Sequence, residues 1–266
     1  MECDHCFVWG SPRTTGTMSI DDVRAIVHQA HEIPDIRRIC FEGGEPFLYY
    51  PLLARAVAES HEAGYDVGIV TNGYWAASVA DALLWLRPLE GTVSALSVSL
   101  DLFHGDDSSS RRSENVTIAA RKLGMPVHVI ATSDATVMYR GRAATKLARG
   151  RARECWEGFS RCPHENLADP GRVHVDPFGN VHVCQGISIG NVFETGLKRI
   201  CDTYEPEQHP IVGPLIRGGP AELVRSYDLA HQADYVDACH LCYTARVALR
   251  DRFPRTLTPD QAYGPA

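Results

Sequence analysis

The sequence predicts an α/β protein with a parallel sheet, followed by a smaller cysteine-rich segment. The first half of the 266-residue chain alternates strand-like with helix-like stretches, and glycine-rich polar turns follow the strands. The second half breaks this alternation and contains most of the nine cysteines. Ligands of parallel sheets bind at the carboxyl ends of the strands, so these turns are the first candidates for a binding site.

The alternating half is delimited by clear start and stop signals. Ser19 and Asp22 have the spacing of a capping box, and Gly64 and Gly124 each follow a helix-like stretch. We predict helices over residues 19–31, 51–63, 76–86 and 114–123. We predict strands over residues 36–41, 66–70, 94–100 and 126–132.

The second half predicts a different architecture. We expect a basic connecting helix over residues 141–160, and the stretch RVHVDPFGNVHVC predicts a hairpin that turns at residues 177–180. A Gly- and Pro-rich loop is expected over residues 210–220, followed by helices at residues 221–227 and after Cys242. The predicted organisation is therefore a core of residues 1–140, a connector of residues 141–160 and an extension of residues 161–266.

Composition restricts the classes of partner. The chain has 26 Lys and Arg against 33 Asp and Glu, a formal net charge of −7, which argues against nucleic acid or an anionic membrane surface as partner. No stretch approaches the roughly 18 uninterrupted apolar residues of a membrane span, and no signal-peptide pattern is present. We therefore expect a cytoplasmic protein whose thiols stay reduced and are available as metal ligands.

The cysteines form two C-x-x-C pairs, Cys3 with Cys6 and Cys239 with Cys242, while Cys162 and Cys184 flank the predicted hairpin. Thiolates are ligands of zinc and of iron–sulfur clusters. A structural zinc site of Cys162, Cys184, Cys239 and Cys242 is one interpretation of the later group. Buried apolar cysteines are the expectation for Cys40 and Cys201.

Three turns follow predicted strands: GGEP at Gly43–Pro46, TNG at Thr71–Gly73 and SLD at Ser99–Asp101. Glycines allow a backbone to approach a ligand closely. The polar side chains of these turns can meet an amine, a carboxylate or ribose hydroxyls. They are Glu45, Asn72, Ser99 and Asp101.

With ECDHC ahead of them, GGEP and SVSLD make the chain resemble the radical S-adenosylmethionine (SAM) enzymes from Cys3 to about residue 132. The resemblance implies a partial (β/α)6 barrel and a C-x3-C-x2-C loop that holds a 4Fe–4S cluster, to which SAM binds. It implies Cys3 and Cys6 as cluster ligands and Gly43, Gly44 and Glu45 as holders of the SAM amine. It also implies Asn72, Ser99 and Asp101 as further SAM-binding residues, the last two at its ribose or carboxylate.

The chain departs from this family pattern in two places. The family's first cluster cysteine belongs four positions before Cys3, two residues upstream of Met1. We therefore expect that the chain starts at an internal methionine and that the first barrel strand is missing; a degenerate member that has lost SAM chemistry is the alternative. The stretch from residue 132 to Arg140 is too short for a barrel helix, so a sixth strand is not assigned.

The second half resembles the family's cysteine-rich carboxyl extension in its shorter, one-cluster form, called a twitch domain and related to SPASM domains. Cys162, Gly179 and Cys184 give C-x16-G-x4-C. The resemblance implies a second, auxiliary 4Fe–4S cluster, and we assign its ligands as Cys162, Cys184, Cys239 and Cys242, with Cys155 as a rival. Four thiolates leave no iron open to substrate, which favours electron transfer and hence an oxidation.

The resemblance implies an enzyme that cleaves SAM reductively and abstracts hydrogen from a substrate, as an oxidoreductase or maturase. We expect a peptide, protein or small-molecule substrate and an electron donor such as flavodoxin or ferredoxin. A non-catalytic iron–sulfur or zinc-binding module is the alternative. Arg140 and Arg142 either face substrate or solvate a helix start, and Tyr243 and Arg246 either reach the pocket or cover the cluster.

Overall fold

The computed structural model describes residues 2–100, 109–131, 133 and 136–264. Asp101, one of the predicted SAM-binding residues, lies outside the described residues. The chain divides into two compact units, each with its own buried apolar core. One unit is Met18–Thr136, which we call the sheet unit, and the other is Met1–Thr17 with Val137–Ala266, which we call the cysteine unit. The predicted boundaries at residues 140 and 160 stay predictions.

The sheet unit confirms the predicted α/β class. Its four strands are all parallel and lie in chain order, with β1 at Arg38–Phe41, β2 at Asp66–Thr71, β3 at Ala95–Ser99 and β4 at Val127–Ile130. The central strands bury Val67, Ile69, Leu96 and Val98 almost completely, as expected where helices cover a parallel sheet. The four strands make an open sheet, and no closed barrel forms within the described residues.

The predicted helices of the sheet unit are present with shifted ends. They are α1 at Ile20–Ala30, α2 at Tyr50–Glu62, α3 at Val79–Leu86 and α4 at Ser109–Lys122. The capping box before α1 is confirmed, because Ser19 Oγ accepts from Asp22 N at 3.1 Å and Asp22 Oδ2 accepts from Ser19 N at 2.7 Å. The described part of this unit also contains two short 3₁₀ helices, at Pro46–Tyr49 and Arg87–Leu89.

The predicted hairpin of the cysteine unit is also confirmed and gains a third strand. Strand β6 at His174–Val175 pairs antiparallel with β7 at Asn180–Cys184, and β7 pairs antiparallel with β8 at Ile187–Asn191. The carboxylate of Asp176 organises the turn by accepting from the backbone nitrogens of Phe178 and Asn180 at 2.9 and 3.0 Å.

The predicted connecting helix over residues 141–160 is wrong in length. Helix α5 covers only Arg142–Lys146, and Gly150 has a φ of +74°, which breaks the helical path. Beyond it, β5 at Glu154–Cys155 pairs antiparallel with β9 at Asp234–Tyr235. This non-local pairing competes with helix formation and is not visible in local sequence.

The predicted loop over residues 210–220 is wrong as well, because helix α7 runs over Val212–Ser226 with a break at Gly218 and Gly219 before Pro220. A short helix α6 at Leu197–Asp202 precedes it. Helix α8 covers Ala238–Leu249, so it begins before Cys242 and not after it. Asp237 determines that start, since its Oδ1 accepts from His240 N at 2.7 Å as an N-cap.

The cysteine unit also contains 3₁₀ helices at Trp156–Gly158 and Asp260–Tyr263. In the part of the chain that the structure describes, no helix has the length and apolar character needed to cross a lipid bilayer.

Candidate cofactor and cluster sites

The GGEP turn lies at the carboxyl end of β1 and presents open backbone. Gly43 has a φ of +146°, a conformation that favours glycine. A Cβ built at Gly43 or Gly44 would meet no atom within 4 Å. The backbone of both residues can therefore be approached by a ligand.

The side chain of Glu45 is turned into the protein and is only 7% exposed. Its Oε1 accepts from Phe47 N at 3.1 Å and from Thr71 Oγ1 at 2.8 Å, and its Oε2 accepts from Asn72 N at 2.7 Å. These bonds make Glu45 the N-cap of the 3₁₀ helix at Pro46–Tyr49 and the link between the GGEP and TNG turns. The sequence predicted the carboxylate as a ligand-binding group and missed this structural role.

Burial raises the pKa of the Glu45 carboxyl above its ordinary value, although the hydrogen bonds from Asn72, Thr71 and Phe47 act in the opposite direction. A carboxylate has about four acceptor positions, and three are used inside the turn. About one position is left for a donor such as an amine, which would also stabilise the charged form.

The TNG turn is held by a second set of contacts. Thr71 Oγ1 accepts from Gly73 N and from Trp75 Nε1, both at 3.1 Å. Asn72 Oδ1 accepts from Tyr74 N at 2.9 Å, so this predicted SAM-binding side chain also stabilises its own turn. Trp75 stacks on Phe47 with ring centroids 4.4 Å apart. The two turns thus form one hydrogen-bonded and aromatic cluster.

Ser99 is the last residue of β3, and its Cα pairs with that of Ile130 on β4. It therefore stands at the same edge of the sheet as the GGEP and TNG turns. The predicted partner Asp101 lies outside the described residues.

The loop with Cys3 and Cys6 belongs to the cysteine unit. Cys6 N donates to Cys3 O at 3.1 Å, and Gly10 N donates to Cys6 Sγ at 3.1 Å. The guanidinium of Arg142 donates to Cys3 O at 2.6 Å and to Gly10 O at 2.7 Å, which ties the two ends of the loop together. Both thiols are half-buried.

The other four candidate cysteines come from three separate parts of the chain and line one cavity: Cys162, Cys184, Cys239 and Cys242. Cys162 follows the 3₁₀ helix at Trp156–Gly158, and Cys184 ends β7. The other two lie in the first turns of α8.

The cavity wall also contains two buried guanidinium groups. Arg140 and Arg246 line the cavity and are 4% and 2% exposed. Arg140 Nη1 donates to Cys184 Sγ at 3.0 Å, and Arg246 Nη1 donates to Gln185 O at 2.9 Å. Among the described residues, the Nε–H groups of both arginines are buried without a hydrogen-bond partner. Such unpaired donors fit a bound anionic group, and a cluster with four thiolates is anionic.

The ionisation of these thiols depends on what fills the cavity. Burial raises the pKa of Cys242 to about 11, although Arg246 acts against the shift, and burial also raises the pKa of Cys239. Within the described ranges, no three His, Cys, Asp or Glu side chains converge in the manner needed for one metal ion. In a 4Fe–4S cluster each thiolate binds a different iron, so its ligands stand farther apart than those of a single ion.

The remaining cysteines do not line this cavity. The expectation of burial is wrong for Cys40, which is exposed in β1, and Cys201 in α6 is only half-buried. Partial desolvation by neighbouring groups still raises the pKa of both thiols, that of Cys40 to about 11. Cys155, the rival ligand, is exposed in β5.

A model of the Radical SAM superfamily matches residues 1–143, which is more than half of the chain. The chain therefore belongs to the radical SAM superfamily. The family as a whole implies a 4Fe–4S cluster and SAM as cofactors.

Two individual proteins are similar to this chain, one in sequence and one in fold. The chain is 28% identical over 121 residues to the "Putative peptide biosynthesis protein YydG" of Bacillus subtilis (strain 168), a match over 45% of this chain and 38% of that protein. The matched stretch is thus about two fifths of the relative's length. The fold is similar to that of BtrN, solved in complex with AdoMet and 2-DOIA, with a TM-score of 0.54, 17% identity and 82% coverage of both chains.

Proposed function

We propose that the protein cleaves SAM reductively and uses the reaction to oxidise or otherwise modify a peptide substrate. The observation that carries the proposal is the family match over residues 1–143, which spans the cysteine loop and the GGEP, TNG and SLD turns. The similarity to a putative peptide biosynthesis protein supports a peptide as substrate.

In this proposal Cys3 and Cys6 supply two thiolates to the SAM-binding cluster. Gly43, Gly44 and Glu45 hold the amine of SAM. Support comes from the open backbone at both glycines and the remaining acceptor position of the Glu45 carboxylate. Asn72, Ser99 and Asp101 serve as the further SAM-binding residues. When bound, the cluster and SAM would supply one-electron reductive cleavage of SAM and, through it, removal of a hydrogen atom from the substrate.

We assign the cavity of the cysteine unit to a second, auxiliary 4Fe–4S cluster of the twitch type. Its thiolate ligands are Cys162, Cys184, Cys239 and Cys242, and its charge is offset by the buried guanidinium groups of Arg140 and Arg246. With four thiolates, such a cluster would supply a one-electron acceptor and not a substrate-binding iron. An oxidation of the peptide is therefore the favoured outcome. A flavodoxin or ferredoxin is the proposed donor for the first electron.

The test begins with metal analysis of anaerobically prepared protein. We expect iron and acid-labile sulfide that decrease in Cys184→Ser and stay unchanged in the matched control Cys40→Ser. With dithionite and SAM, we expect 5′-deoxyadenosine from protein that carries all three cysteines of the C-x3-C-x2-C loop, and its yield should decrease in Cys6→Ser.

Candidate peptides are then tested for the loss of two hydrogens by mass spectrometry. Zinc in place of iron, together with no 5′-deoxyadenosine, would contradict the enzyme and favour a metal-binding module. Formation of 5′-deoxyadenosine with a product that has gained mass would keep SAM cleavage and contradict the oxidation.

A further inference from the structure

The segment Tyr139–Arg142 contacts both groups of candidate cluster cysteines in the cysteine unit. We propose that it is a shared positioning segment, which fixes the Cys3–Cys6 loop on one side and the cavity of Cys184 and Cys239 on the other. The inference rests on the proposed function where it refers to bound clusters. The contacts that carry it are those of the protein alone.

The contacts to the loop come from Arg142 and Gly141. Arg142 is 3% exposed and donates through its two terminal nitrogens to Cys3 O and Gly10 O, and its backbone nitrogen donates to Cys6 O at 2.8 Å. The planar guanidinium can donate to two carbonyl groups at once, and the single ammonium of lysine cannot reproduce this geometry. Arg142 therefore holds the loop closed around its cysteines.

Gly141 allows the segment to lie directly against the loop. Its φ is +58°, and a Cβ at this position would stand 2.6 Å from Cys6 O and from the Cα of Phe7. These are backbone atoms, which cannot turn away as a flexible side chain can. Only glycine fits here without displacing the loop.

The contacts to the cavity come from Arg140 and Tyr139. Arg140 donates to Cys184 Sγ at 3.0 Å, and its guanidinium lies 4.8 Å from the ring centroid of Phe7 in the loop. Tyr139 N donates to Asp237 Oδ2 at 3.1 Å, and Asp237 caps α8, the helix that carries Cys239. One short stretch of backbone thus connects the loop, β7 and α8.

Arg140 has a chemical consequence for a bound cluster as well as a structural one. Hydrogen bonds to cysteinyl sulfur and nearby positive charge raise the reduction potential of an iron–sulfur cluster. Arg140 supplies both to Cys184. Its role is therefore to position the ligand and to favour the reduced cluster.

Hydrogen exchange tests the positioning role without any cluster. In metal-free protein, Arg142→Lys should accelerate amide exchange in residues 2–10 about tenfold or more, which is the change in rate expected from the loss of one charged hydrogen bond. The exchange of residues 181–187 should stay unchanged. Arg140→Lys should accelerate residues 181–187, and Gly141→Ala should accelerate both stretches. Arg149→Lys, a change at an exposed site, is the matched control and should alter neither.

The potential of the second cluster tests the chemical role. In reconstituted protein, Arg140→Gln should favour the oxidised cluster about tenfold, a shift of about 59 mV to lower potential for a one-electron couple. Wild type and variant must contain equal amounts of iron, so that the shift is not due to loss of a cluster.

Unchanged exchange of residues 2–10 in Arg142→Lys, or an unchanged potential in Arg140→Gln, overturns the inference. Wild-type protein that binds no second cluster contradicts that part of the proposed function. The exchange experiment then decides the positioning role by itself, and it remains decisive if Gly141→Ala does not fold.

Discussion

Removal of the Glu45 carboxylate should destabilise the sheet unit, because three donors would lose one common acceptor. Glu45→Ala removes the acceptor of three hydrogen bonds and leaves no other acceptor of this side chain. The donors are the backbone nitrogens of Phe47 and Asn72 and the hydroxyl of Thr71. A buried donor without a partner costs about 1–3 kcal/mol. Water can reach the part-buried Asn72 through the space left by the side chain, so we take the lower value for each donor. The expected loss is about 3 kcal/mol of unfolding free energy.

Glu45→Gln separates the structural role from the charge. Its amide oxygen can keep the two bonds of Oε1, while its NH2 group faces Asn72 N as a second donor. The unfolding free energy should decrease by about 1 kcal/mol, because one donor is left without an acceptor. Hydrogen exchange of the β2 and β3 amides in increasing urea gives the free energy for this unit alone. Glu62→Ala, at an exposed position on α2, is the control and should change it by less than about 0.5 kcal/mol.

A loss in Glu45→Ala that matches the loss in Glu62→Ala would refute this reasoning. The result also decides how SAM-binding data are interpreted. If Glu45→Gln folds well and still loses SAM affinity, the carboxylate contacts the SAM amine as proposed. If only Glu45→Ala loses affinity, the loss is due to collapse of the two turns.

Three further predictions concern pH, iron content and the hairpin. Glu45 has a raised pKa in the folded state, so native protein binds the proton more tightly than unfolded protein does. The stability of the sheet unit should therefore fall as pH rises above about 4.5. In Glu45→Gln, this fall should be smaller when the unfolding free energy is measured by hydrogen exchange at several pH values. Cys242→Ser should lower iron by about one cluster with loss of stability, while Cys201→Ser should retain iron by elemental analysis. Asp176→Ala should destabilise the hairpin by about 2 kcal/mol, since backbone and side-chain donors lose a shared acceptor, measured by exchange of the β7 amides.

Each of these has a result that would contradict it. A stability that rises between pH 4.5 and neutrality in wild type but not in Glu45→Gln would reverse the sign of the pH argument. Equal iron in Cys242→Ser and wild type would remove Cys242 from the ligand set. Unchanged β7 exchange in Asp176→Ala would show that backbone pairing alone holds the hairpin.

Sequence reasoning succeeded where the signal is local. The capping box at Ser19, the alternation of strands and helices and the hairpin turn at residues 177–180 all depend on neighbouring residues, and the structure contains each of them. It failed for the helix over residues 141–160, where Gly150 and the pairing of β5 with a strand about 80 residues later decide the conformation. Propensity carries no information on such a distant partner.

The sequence by itself determined the parallel α/β class, the order of the turns and the spacing of the cysteine pairs, because each follows from local patterns of residues. Only the tertiary structure decided that Glu45 joins Thr71 and Asn72 and that the four later cysteines line one cavity with two buried arginines. Only the tertiary structure also gave Arg140 and Arg142 their partners at Cys184 and Cys3. These contacts join residues far apart in the chain, and the packing of the folded unit, not the spacing of the residues, determines which of them meet.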